Sequence, residues 1–162
     1  MRRRQRSRGG SAGYQLSLDV KGLLVAVVDH DRSFWSRQYI DGFVHSEYFK
    51  LVGVLESEAE ATEWIRSGRA RVVLDIPPEF GRRLSARERA AVGVTLDGSF
   101  PTRGQIALGY VAAVNTLYNQ QLLRAYLAGR GRGGAQVWPV RMDLSVWYNP
   151  SLENFVVPGV LS

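Results

Sequence analysis

The segment best equipped for chemistry is Asp29-His30-Asp31-Arg32-Ser33, directly after an apolar run. Two carboxylates two residues apart can hold Mg²⁺, and one of them can attack a phosphoryl group. Asp97-Gly98-Ser99 sits at a second strand end and could offer a third carboxylate, Asp97. Ligand and catalytic groups in open α/β sheets gather at the carboxyl ends of strands. The competing reading is structural. An aspartate after a strand accepts backbone N–H bonds in the turn and favours the helix N-terminus that follows.

The first reading resembles the Asp-x-Asp motif of haloacid-dehalogenase-like phosphatases, and it makes a stand-alone Mg²⁺-dependent phosphohydrolase using Asp29 and Asp31 the alternative function. That chemistry also wants a lysine and a later acidic pair. The lysines are Lys21 and Lys50, and no such pair follows. The turn reading is therefore preferred. His30 falls in a turn and His45 in a helix, with no carboxylate or second histidine at ligand spacing. Ser33, Ser36 and Ser99 lack a Gly-x-Ser-x-Gly elbow. No Gly-Lys-Ser/Thr is present, so neither ATP nor another cofactor is expected. With no cysteine, disulfides and thiolate metal sites are excluded.

Charge placement argues against nucleic acid as a partner. Residues 1–12 carry five arginines and no acid, and removing those five from the net +6 leaves +1 for residues 13–162. A phosphate-binding surface needs its cations on one folded face. Residues 1–12 are expected to be a disordered basic leader, and they lack the apolar stretch of a signal peptide.

The elements that must position these groups alternate. The apolar run at 23–28 suits a central strand. Ser33 caps a helix extending to about residue 49, and 51–55 is a second strand. Ser57 and Glu60 form a capping box for a short helix ended by Gly68. A third strand at 71–76 precedes Pro77-Pro78, with Pro78 in the first turn of a helix at 79–84. A fourth strand at 91–96 leads to a long helix at 102–128, and 137–147 is a last extended segment. Ile106, Tyr110, Val114, Leu117 and Tyr118 share one face of the long helix, and Leu122 and Tyr126 extend it. The class is α/β: alternating β-α units forming a largely parallel, mixed sheet with helices on its faces and one long helix.

Seven segments in order carry a family pattern: 13–20, 25–33, Ser46-Glu47-Tyr48-Phe49, Ile76-Pro77-Pro78-Glu79-Phe80, Leu96-Asp97-Gly98-Ser99, Trp147-Tyr148-Asn149-Pro150, and Phe155-Val156-Val157-Pro158-Gly159. Residues 13–162 resemble the extracytoplasmic domain of type-2 ABC transporter export permeases, the drug-efflux-like membrane subunits. The resemblance implies an α/β domain between the first and second membrane helices, on the periplasmic face of the bacterial inner membrane. The apolar tail would lead into the second of those helices, and residues 1–12, standing where the first is expected, would be a tag or a truncated start. It implies a transport component without catalysis of its own. Its partners would be a separate ATP-binding cassette subunit, a second permease copy and a periplasmic adaptor, with the membrane reached through flanking helices. No metal ligand is then expected, and Asp29, Asp31 and Asp97 become fold features. The long helix and the membrane-proximal aromatic ends supply the candidate contacts: Tyr110, Tyr118, Tyr126, Trp147 and Tyr148.

Overall fold

The computed structural model describes residues 21–129 and 138–147. Nine elements alternate strictly: β1 (Leu23–Asp29), α1 (Phe34–Val44), β2 (Phe49–Leu55), α2 (Glu58–Arg66), β3 (Val72–Ile76), α3 (Phe80–Ser85), β4 (Ala91–Asp97), α4 (Pro101–Ala128) and β5 (Arg141–Trp147). They build one five-stranded sheet in the order β2-β1-β3-β4-β5. β1 pairs in parallel with β2 and β3, and β4 with β5, while β3 and β4 are antiparallel. The sheet is thus mixed, and its reversal falls in the middle.

Local chemistry explains most boundaries. Ser33 Oγ accepts the Ser36 N–H at 3.1 Å and starts α1. That helix stops at Val44, short of residue 49. His45 caps it, and Glu47 turns the chain in a left-handed conformation, φ 64°. Phe49 is then free to enter β2 opposite Leu23, with its ring buried against Phe43. Ser57 Oγ accepts the Glu60 N–H at 3.2 Å, and the Glu60 carboxylate accepts the Glu56 N–H at 3.0 Å, so the box at the start of α2 closes one residue early. Gly68, at φ 75°, ends that unit.

The core is uneven. One sheet face is covered by α1, α3 and α4, with Tyr39, Phe43, Phe80, Leu84, Val111 and Tyr118 packed on β1, β3 and β4. Among the described residues the other face carries only α2, through Ala61 and Ile65 over Ala26, Val28 and Val73. The described chain enters β1 and leaves β5 at the same end of the sheet, because β1 starts where β5, antiparallel to it, finishes. Three strand spacings separate β1 from β5, about 14 Å.

Candidate functional site

Asp29 is occupied by its own turn. Its Oδ1 accepts the N–H groups of Asp31 and Arg32 at 3.0 and 2.9 Å, and its Oδ2 accepts the Ser36 hydroxyl at 2.8 Å. Asp31 reaches across the fold instead, and its Oδ2 accepts the Gly81 N–H at 2.9 Å. This bond supplies α3 with the cap that Glu79, left-handed at φ 65°, does not make. Pro78 consequently stands before the helix and outside its first turn. A Cβ at residue 81 would sit 2.5 Å from Ser33 Oγ, so the close approach of the two turns requires glycine there.

Asp97 lies at the other end of the sheet. β4 runs against β1, and the register places Val72 opposite Leu96 but Ile76 opposite Asp29. Five residues of strand, roughly 16 Å, keep Asp97 away from the Asp29 turn. It pairs with Arg71 and accepts the Ser99 N–H at 3.0 Å. Burial opposes its ionisation, but the bonds from Ser99 and Arg71 outweigh that and hold its carboxyl below the usual range. The three aspartates therefore do not converge.

The fold makes a grouping that sequence spacing missed. His30 Nε2 lies 3.4 Å from Asp75 Oδ1, and Glu58 completes a set whose ligand atoms fall within 4.8 Å of one another. Burial raises the Asp75 carboxyl, His30 partly offsets this, and Glu58 adds to it. One imidazole and two carboxylates could hold a divalent cation. The three residues come from the β1–α1 turn, the start of α2 and β3, so only the parallel pairing of β1 with β3 unites them. His30 thus does have carboxylate neighbours.

The described aromatic contact candidates pack against the domain to different degrees. Tyr118 is buried and edge-on to Tyr39 at 5.0 Å. Tyr110 stacks on Tyr48 at 4.2 Å, and the Tyr126 hydroxyl bonds the Leu84 carbonyl. All three join α4 to its own domain, Tyr118 fully buried and Tyr110 and Tyr126 partly so. Trp147 is half-buried against the α2-side cluster, and Tyr148 falls outside the described residues.

What α4 turns outward is different. Its 28 residues, about 42 Å of helix, include two charged side chains, Arg103 and Arg124. Gly109, Ala113, Thr116, Leu117, Gln120, Leu123 and Leu127 follow the exposed side, with Leu117 56% and Leu127 64% accessible. Leu144 and Val146 of β5, on the same sheet face as α4, are also exposed. A long, nearly uncharged surface on a protein with 22% charged residues is suited to contact. Helical periodicity assigned Leu117 to the inner face. The low charge of the whole helix was the available signal that its outer face differs from an ordinary solvated one. No helix among the described residues is long and apolar enough to cross a membrane.

Comparison with known proteins bears on what the surface could serve. The family model described as ABC-2 family transporter protein matches residues 9–156. The probable multidrug ABC transporter permease YbhR of Escherichia coli strain K12 is 28% identical over 151 residues, which are 92% of this chain and 39% of that protein. Its counterpart in strain O157:H7 gives the same values. The chain thus spans well under half the length of these curated relatives. The crystal structure of a domain of a candidate ABC type-2 transporter from Thermotoga maritima MSB8 superposes with a TM-score of 0.63 at 17% identity, covering 78% of this chain and 86% of that one. At that identity the likeness concerns the fold.

Proposed function

The chain belongs to the ABC-2 family of transporter proteins, and from that premise we propose that residues 13–162 form the extracytoplasmic domain of an export permease. The domain is inserted between the first and second membrane helices, on the periplasmic face of a bacterial inner membrane. It works by contact and not by catalysis. The energy comes from a separate ATP-binding cassette subunit, and the α4 face meets a second permease copy or a periplasmic adaptor. The observation that carries the contact role is the outer face of α4, with two charges in 28 residues and three exposed leucines. The topology supports the insertion. Both ends of the domain leave one end of the sheet about 14 Å apart, a separation two membrane helices can match. Trp147, at that end, suits a membrane–water boundary.

Leu117→Glu with Leu127→Glu in the full-length permease tests the contact. Buried charges at an interface centre typically cost more than about 2 kcal/mol, so export should fall by about tenfold or more at unchanged membrane abundance. Export at the parent level would remove α4 from the contact surface.

A further inference from the structure

A cleft of about 850 Å³ opens where β3 ends and β4 and β5 begin, away from the end at which the chain enters and leaves. Its size is that of small-molecule sites. Pro77, Pro78 and Trp138 give it apolar walls, and Arg83, Arg89 and Arg141 stand around it. Arg141 has a carboxylate partner, Asp143, at 3.0 Å. The other two do not. Arg89 lies over the Trp138 ring, 3.9 Å from its centroid, and Arg83 donates to the Arg89 main-chain oxygen at 3.3 Å. Among the described residues, neither pairs with an acid. Glu79, the acid of the lining, is held by Arg82 at 3.1 Å.

Two guanidinium groups whose direct contacts are neutral, beside a Glu79 carboxylate that Arg82 holds and that Arg83 meets only through space, leave net positive potential at the mouth of an apolar cleft. Each keeps N–H donors for an oxyanion, and Arg89 is already oriented by its ring contact. A neutral ligand would waste the cations, and a bare inorganic anion would leave the apolar walls wet. We propose that this cleft binds a small amphiphilic organic anion, its apolar body against Pro77, Pro78 and Trp138 and its carboxylate, sulfonate or phosphate group on Arg83 and Arg89. The site is independent of the permease reading.

The test is fluorescence titration of the 162-residue chain with anilinonaphthalene sulfonate. Phenylnaphthylamine, the same ring system without the sulfonate, is titrated in parallel. Saturable sulfonate binding is expected, weakened about tenfold or more by Arg83→Gln with Arg89→Gln. Phenylnaphthylamine binding should be the same in parent and variant. Both arginines are exposed, so the variant keeps its fold, which circular dichroism and Tm verify. Arg103→Gln, at the opposite end of the sheet, controls for loss of a distant positive charge and should leave binding intact. Equal sulfonate affinity in parent and double variant, equal weakening by Arg103→Gln, or no binding at millimolar sulfonate would each overturn the proposal.

Discussion

Asp97 is the clearest case of a side chain whose role follows from its partners. Its carboxylate is nearly inaccessible, whereas Arg71 is about one-third exposed, at 35%. With a folded pKa held low, Asp97 stabilises the protein at pH values above the ordinary carboxylate range, and that stabilisation fades as pH falls through the depressed value. Arg71→Met leaves the carboxylate buried without its cation. The variant should lose about 2–3 kcal/mol at pH 7, an amount reduced for the partial exposure of Arg71. Its deficit should shrink as acid protonates Asp97, and a deficit independent of pH between 7 and 3 would contradict the pairing. The tyrosines offer a second contrast. Burial pushes both the Tyr39 and Tyr118 phenols above their ordinary range. Tyr39 donates to Asn115 Oδ1 at 3.0 Å, but the Tyr118 hydroxyl has no hydrogen-bond partner among the described residues. Tyr118→Phe should therefore leave stability unchanged or raise it by about 1 kcal/mol. Tyr39→Phe, which strands Asn115, should cost about 1–2 kcal/mol in denaturant titrations.

The elements are joined by side chains that imitate backbone. Asn119 of α4 accepts the Val140 N–H at 2.8 Å and donates to the Val140 oxygen at 3.2 Å. Asn115 donates to that same oxygen at 3.0 Å. These bonds position the start of β5, which is further held by its ladder with β4 and by Met142 and Trp147 packing on the two sheet faces. Asn119→Ala should cost about 1–3 kcal/mol and speed amide exchange at Val140 and along β5, with β1 and β3 unaffected. Exchange rising uniformly across the sheet would deny this local role. The reversal between β3 and β4 has a sequence signal too. α3 has six residues, about 9 Å of helix, too short to carry the chain back along a strand of about 17 Å. The strand simply returns antiparallel, whereas the longer α1, α2 and α4 all make parallel crossovers.

For the whole molecule, the two sheet faces and the two sheet ends divide the work. The α4 face is long, apolar and nearly uncharged, which suits a macromolecular contact. The end bearing Arg83, Arg89 and Trp138 is cationic and concave, which suits a small anion. The opposite end carries the chain in and out. The two proposed tests touch different surfaces, so loss of export on charging α4 and loss of sulfonate binding on neutralising the cleft can succeed or fail separately.

Element order, the α/β class and the caps at Ser33 and Ser57 were legible in the sequence because they depend on neighbours within about four residues and on hydrophobic periodicity. The family pattern was legible because seven segments follow one another in order. Which face of α4 looks outward was not, since tyrosines and leucines suit either side of a helix with so few charges. The fate of the aspartates was decided by strand direction alone. An antiparallel β4 carries Asp97 to the far end of the sheet, while parallel pairing of β1 with β3 brings His30 to Asp75. Such pairings join residues about 20 to 50 positions apart, and no local spacing encodes them. The turn around Asp29 was legible locally, but only the packed sheet could assign Asp31 to Gly81 and His30 to its carboxylates.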